Sequence, residues 1–557
     1  MKQGSGADEA SGGITNEANG GITNEASGGI NSQPPPTSNE SIESHEAPPI
    51  RRSNCNSQLP RRYDDFDMNF YVENTHLLLS LNDDEPSSYH EAKNNPMWVK
   101  AMKEEIDPIE KNGTWKLVTR PSNATIIGLK WVFKVKKDAN GSISRYKARI
   151  VAKGYLQQPG IDFEEVFAPV ARIETVRILI ALAAAKGWEL HHLDVKSAFL
   201  HGELQEQVYV HQPEGFVKKG HEDSVYKVVK ALYGLRQAPR TWNMKLDGIL
   251  KDMKFQRCIQ EQAVYRRSIG ADFIIVGVYV DDLDVTGTSL NIISKFKEAM
   301  STKFDMTDLG VLTYYLGIEV YQRNEDIIIT QTGYAKKVLK DAGMFDCNPT
   351  LVPMDPNVKF SKGEGEEDTE VTEYRSLVGR LRYLLHSRPD LSYAVGTLGY
   401  GIRYARGEPT KLVGYCDSSH NIDIDDGRST TDHIFYLENL PSLVEYMAAS
   451  SASCQAVWLH DLLVEIIGSE VQSVTLKIDN TLAIALVKNP VFHGRSKHIK
   501  SRYHYIQERV EAKEIVVEHI SGKEQCADIL TKSLAKVKFN EMRKLLGMDD
   551  LQAALRN

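Results

Sequence analysis

The segment FIIVGVYV, residues 273–280, carries no charge and runs directly into Asp281-Asp282, after which LDVTG follows at once. Such an apolar run, rich in β-branched residues, reads as a buried strand. The chain that returns behind it predicts a tight hairpin with two carboxylates at its tip. A second strand, in WELHHLD, ends at Asp194, 87 residues earlier (281 minus 194). Clustered carboxylates repel one another unless cations neutralise them. Hard divalent ions such as Mg²⁺ take oxygen ligands from a few carboxylates together with substrate phosphates, so a two-metal phosphoryl-transfer site is one reading of the three aspartates. The other is that Asp-Asp merely marks a turn.

Around this hairpin the pattern alternates between helix and strand. Met97, Trp98, Ala101, Met102, Ile106 and Ile109 recur every three to four residues after Pro96 and predict an amphipathic helix. GLKWVFKVKK and SISRYKARIVAKG, joined through DANG at 138–141, predict a β-hairpin. It is basic: Lys130, Lys134, Lys136, Lys137, Arg145, Lys147, Arg149 and Lys153 face only Asp138. That charge suits a polyphosphate partner, or else forms a solvated ribbon. Glu174–Lys186 reads as a helix, Pro239 suits the first turn of another, Ser289 stands where it can cap a third, and LGIEVYQRNEDIIITQ reads as a hairpin. Strands and helices mix without regular βαβ alternation, so the expected class is α+β.

Of the 557 residues 41% are hydrophobic and 25% charged, and the net charge of −8 gives no global signature of a nucleic-acid binder. No apolar run is long enough to span a bilayer, and the N-terminus shows no secretory pattern. The expectation is an intracellular protein, cytoplasmic or also nuclear, with no membrane partner. The six cysteines are scattered without metal-binding spacing. Residues 1–62, with GGITNEA repeated before a triproline, are too poor in apolar groups to fold and read as a disordered lead-in. Residues 63–94 and the acidic stretch 346–372 read as linkers. Beyond them a second unit is expected, with strands at KLVGYC, HIFYL, VTLKI and IVVEHI and helices at VEYMAASSASCQAVWLHDLLVEII, TLAIALVK, SKHIKSRYHYIQERVEA and QCADILTKSL.

In that order, LDVKSAFLHGEL, ALYGLRQAPRTW and YVDDLDVTG resemble the motifs of copia-type retrotransposon reverse transcriptases, and the resemblance runs from about Asn95 to Met344. It implies a right-hand polymerase of fingers, palm and the start of a thumb over 95–345. Asp194, Asp281 and Asp282 would hold two Mg²⁺ ions, or Mn²⁺, for transfer of a nucleotide to a primer 3′-hydroxyl. Lys147 and Arg149 would hold the incoming triphosphate, Phe199 would lie beneath the sugar, Gln237 would face the nucleotide, and Tyr279 would precede the catalytic pair. The implied partners are an RNA template, a DNA primer, the RNA·DNA hybrid and deoxynucleoside triphosphates. Asp284 stands where the family usually has an apolar residue. It faces the interior, faces solvent or joins the metal site, and the sequence does not choose.

GYCDSSH, VEYMAAS, KIDNTLAIALV and EQCADILTK resemble the acidic motifs of the RNase H domain that follows such polymerases. By that resemblance Asp417, Glu445, Asp479 and Asp528 would bind two further metal ions in an RNase H-like α/β domain over 411–533, with a helical tail at 534–557. His498 and His504 lie on a basic helix that touches the hybrid backbone or is simply solvated. Two shortenings depart from the family. The connection, 373–410, has lost most of its helices, and the chain before Glu445 lacks about a strand and its turn. The second domain is therefore expected to be partly deleted, with an impaired sheet edge. No zinc knuckle, aspartic protease or integrase motif is readable, so other retrotransposon proteins would be supplied separately. The leading reading is an RNA-directed DNA polymerase; the alternative is a catalytically silent relic that at most binds nucleic acid.

Overall fold

A computed structural model describes residues 85–137, 143–350, 352–354, 370–392, 400–405, 412–418, 431–437, 441–444, 448–468, 471–488 and 500–550. The N-terminal lead-in, the DANG turn, the acidic stretch 363–369, Glu445 and His498 lie outside the described residues.

Pro96–Lys111 is the first long helix, opened by Asn95, whose side chain accepts from Met97 N at 2.9 Å, and by Pro96 in the first turn. The stripe Trp98, Ala101, Met102, Ile106 and Ile109 is buried as its spacing requires. It packs on the basic hairpin Leu129–Lys137 and Ile143–Ala152, where the Trp98 ring meets Phe133 at 5.2 Å and Tyr146 at 4.7 Å, both edge-on.

The hairpin read from FIIVGVYV is the centre of a six-stranded antiparallel sheet. Its order is Met306–Val311, His191–Val195, Asp282–Gly287, Asp272–Tyr279, Val264–Ile269, Gln256–Arg257. Strand residues two apart share a face. Ile274, Val276 and Val278, with Leu193, Val195, Leu283 and Val285, pack under the helices Ala238–Asp252 and Leu290–Ser301 through Trp242, Leu246, Ile293 and Phe296. Pro239 lies in the first turn of Ala238–Asp252 as expected, whereas the Ser289 side chain makes no capping hydrogen bond. On the opposite face lies the helix Ile173–Lys186, buried from Thr175 through Ala185. A helix buried all round needs neighbours on every side. This one has the strands Asp282–Gly287, Asp326–Thr330, Tyr400–Ala405 and Pro441–Val444. Gly277 lets it approach: a Cβ there would stand 3.0 Å from Leu179 Cδ1.

A second sheet runs Tyr314–Tyr315, Ile318–Gln322, Asp326–Thr330, Tyr400–Ala405, Met548–Asp550, so a strand near the C-terminus closes a sheet begun more than two hundred residues earlier. The helix Lys536–Leu545 is fixed beside it by a buried ion network, in which Asp390 accepts from Arg388 Nε and Nη2, both at 2.8 Å, and pairs with Arg543 Nε at 3.3 Å.

The third sheet has the order Pro441–Val444, Thr431–Leu437, Leu412–Ser418, Val474–Ile478, Ile515–His519, the first three strands antiparallel and the last two parallel to Leu412–Ser418. The sequence predicts that this edge lacks a strand; the structure places PSLV there, paired with Thr431–Leu437. The predicted helix beginning at Val444 starts instead at Ala448. Its residues Leu459, Leu462 and Ile466 share one apolar core with Leu179, Leu182 and Ile275 of the first sheet and its helix. Polar contacts reinforce the seam: Glu465 accepts from Ile259 N at 2.6 Å and Gln260 N at 3.1 Å, and the Trp458 indole donates to Gln260 O at 3.1 Å. Among the described residues no helix is long and apolar enough to cross a membrane.

Candidate active site

Strand register assembles the first carboxylate cluster. Asp282 is directly opposite Asp194, and Tyr279 opposite Asp282, leaving Val280 and Asp281 as the two residues of the turn. Val280 has φ +57°, a conformation that β-branched residues rarely adopt. Two bonds hold it: the Trp242 indole donates to Val280 O at 2.6 Å, and Val195 N donates to Asp281 O at 2.9 Å. Backbone strain is stored where the surroundings over-determine it, and here it fixes the aspartate pair.

The three charges feel one another. Burial pushes Asp281 up to about 6, with the charges of Asp282 and Asp194 adding to the rise. Asp194 is raised by burial and then by Asp282, against the pull of His192, Lys147 and Lys196. Carboxylates that raise one another's pKa in this way suit a divalent cation by charge, but among the described residues their oxygens do not converge within 4.8 Å as those of the second cluster below do. His192 Nε2 lies 2.9 Å from Asp282 Oδ1. Burial lowers the imidazole's pKa, but the bond to Asp282 and the charges of Asp282, Asp284 and Asp194 outweigh it and the net shift is upward. Asp284 faces the interior, 3% exposed and opposite His192, with Oδ1 making no hydrogen bond. Burial pushes it up to about 8 despite His192 and the neighbouring Tyr315 hydroxyl.

Lys147 and Arg149 are two residues apart on Ile143–Ala152, hence on one face. Burial, followed by the charge of Arg149, lowers the Lys147 ammonium's pKa. The Arg149 guanidinium stands 4.6 Å from the Tyr233 ring centroid, and the half-buried Phe199 packs against Tyr233 at 4.9 Å. Burial pushes Tyr233 up to about 12, so it is a neutral aromatic platform between the basic strand and the aspartates. Tyr233 lies in the ALYGLRQAPRTW segment, yet the sequence reading passed over it. Gln237 is buried. Its amide accepts from Gln157 Nε2 at 3.0 Å and donates to Asp162 O at 3.0 Å, so it ties down the loop 154–163 from within the protein. Tyr279 is half-buried beside Tyr315, with ring centroids 6.4 Å apart.

Asp417, Asp479 and Asp528 form a second cluster, each offering a carboxylate oxygen within 4.8 Å of the others. Asp417 is the penultimate residue of the strand Leu412–Ser418, Asp479 follows Val474–Ile478, and Asp528 opens the short helix Asp528–Thr531. Lys532 reaches in, 2.8 Å from Asp528 Oδ1 and 3.0 Å from Asp417 Oδ2, and the Thr531 hydroxyl donates to Asp417. Burial raises Asp528, and Lys532 pulls against that rise. Lys532 and Thr531 stand in the quoted EQCADILTK motif without having been assigned a role. The His504 side chain is outside the described residues.

A family model described as "Reverse transcriptase (RNA-dependent DNA polymerase)" matches residues 112–356. The "Retrovirus-related Pol polyprotein from transposon TNT 1-94" of Nicotiana tabacum is 35% identical over 554 residues, covering 90% of this chain and 41% of that protein. The corresponding polyprotein from transposon RE1 of Arabidopsis thaliana is 34% identical over 506 residues, 83% of this chain and 34% of its own length. A Saccharomyces cerevisiae protein ascribed to transposon Ty5-1 is 30% identical over 277 residues, 45% of this chain and 90% of that protein. The class is thus that of the reverse transcriptases. Within it, the chain belongs to the family of copia-type retrotransposon Pol polyproteins, spanning 34 to 41% of the length of the first two relatives.

Proposed function

We propose that this chain is an RNA-directed DNA polymerase that extends a DNA primer on an RNA template. The observation that carries the reading is the pairing of Asp194 with Asp282, with Asp281 fixed at the adjoining turn. Asp194, Asp281 and Asp282 would hold Mg²⁺ or Mn²⁺. When bound, the ions favour deprotonation of the primer 3′-hydroxyl and offset charge on the pyrophosphate leaving group. The chain's own residues bind and orient. Lys147 and Arg149 meet the triphosphate with charge-assisted hydrogen bonds, and Phe199, backed by Tyr233, provides the surface beneath the sugar. Tyr279 flanks the aspartate pair, while Gln237 acts by holding the loop 154–163. In this reading the basic hairpin would serve as fingers and the six-stranded sheet as palm, with the start of a thumb beyond it.

The third sheet, by the same reading, is a shortened RNase H-like domain. Asp417, Asp479 and Asp528, with Glu445, would hold metal for hydrolysis of RNA in the RNA·DNA hybrid. A second reading, a silent relic that binds nucleic acid, is favoured by one observation: the buried, poorly satisfied Asp284 beneath the polymerase site. Primer extension on an RNA template with Mg²⁺ separates the two. The expected result is synthesis by the parent and none by the Asp281→Asn, Asp282→Asn variant. A folded parent that binds primer-template without extending it would establish the relic. Hybrid cleavage lost in Asp479→Asn is the matching test of the second cluster.

A further inference from the structure

Two cross-strand pairs lie side by side on one face of the central sheet: Asp194 with Asp282, and His192 with Asp284. His192 and Asp194 are two residues apart on one strand, as are Asp282 and Asp284 on the next, so all four side chains share that face. Within this patch His192 is 11% exposed and its Nε2 lies 2.9 Å from Asp282 Oδ1. Its ring is held edge-on to the buried Tyr315 ring, with centroids 5.7 Å apart at 81°. An aspartate at a hairpin tip otherwise turns freely about its side-chain torsions. The bond from a ring locked by its own neighbours fixes one oxygen of Asp282 and leaves Oδ2 as the oxygen for a cation.

We infer that His192 is a positioning residue for the polymerase metal site, orienting the Asp282 carboxylate, and that Asp284 and Tyr315 form the buried polar and aromatic seat of its ring. The inference rests on the polymerase reading above. It also gives a place to the acidic residue that departs from the family pattern, since Asp284 stands directly opposite the imidazole. Groups that orient a metal's ligands typically change metal affinity by roughly 10- to 100-fold when removed.

The test uses the full chain and Tb³⁺ as the probe, with luminescence sensitised by nearby tyrosines such as Tyr279 and Tyr315. The Asp281→Asn, Asp282→Asn variant serves as the blank, so that binding at Asp417, Asp479 and Asp528 is subtracted. His192→Ala is expected to weaken site-specific Tb³⁺ binding by about tenfold or more. His192→Gln, whose amide retains a donor at similar reach, is expected to restore most of the affinity. His192→Ala with parental affinity overturns the inference. If circular dichroism shows that His192→Ala does not fold, the comparison passes to His192→Gln against the shorter His192→Asn, and equal affinities overturn it. A parent that binds no more Tb³⁺ than the blank overturns the polymerase reading itself, which separates that failure from this one.

Discussion

Replacing Asp284 by Asn should make the protein more stable as pH rises, and the size of the gain follows from burial. An aspartate in an unfolded chain titrates near 3.9, whereas burial moves Asp284 to about 8 in the fold. Between those values the folded state keeps a proton that the unfolded state has released. Stability contributed by this group is therefore complete below about pH 4, and falls as pH rises through the window, by about 1.4 kcal/mol per unit. From pH 5 to pH 8 the loss is on the order of 4 kcal/mol for a group that is 3% exposed. Asparagine has nearly the same shape and does not ionise, so the variant escapes this term and carries only a constant offset. The assay is urea unfolding of parent and Asp284→Asn at each pH from 5 to 9, with the difference in unfolding free energy plotted against pH. The expected plot climbs by roughly 4 kcal/mol and levels off above pH 8. A difference that does not change with pH would refute the placement of Asp284 in the interior.

The Asp390 network predicts that Asp390→Ala will cost about 3–5 kcal/mol, because two nearly buried guanidinium groups lose a shared carboxylate; a shift under about 1 kcal/mol in urea unfolding would show that the helix Lys536–Leu545 is not docked there. At the strained turn, Val280→Gly relieves about 1–2 kcal/mol and loses about half to one through chain entropy. It should thus be neutral to slightly stabilising in the same urea assay, yet slower in primer extension because Asp281 is less firmly held; marked destabilisation would contradict the strain at Val280.

Much of this was legible in the sequence because it was local. The apolar run ending at Asp281-Asp282, the stripe from Trp98 to Ile109 and the basic alternation through Lys147 and Arg149 each report their own element through periodicity. Non-local pairing was not legible. Nothing near Met548 announces that Met548–Asp550 will pair with Tyr400–Ala405, since a three-residue strand has too few positions to show a period. PSLV reads as the approach to the helix behind it, and only its partner Thr431–Leu437 makes it an edge strand. Asp284 illustrates the same limit. Its three possible settings were all compatible with the sequence, and the cross-strand partner His192 chose one. His192 itself carried a signal, a polar residue two positions before Asp194 on the same strand face, which the reading of Asp194 alone passed over.

The central claim is that one strand pairing turns residues 88 positions apart (282 minus 194) into one catalytic site. Single-nucleotide incorporation into a primer annealed to an RNA template, measured for the full chain and for Asp194→Asn, tests it most directly. With both proteins folded to the same urea midpoint, the account predicts incorporation by the parent and none detectable above background by Asp194→Asn. Incorporation by Asp194→Asn at the parental rate would contradict it.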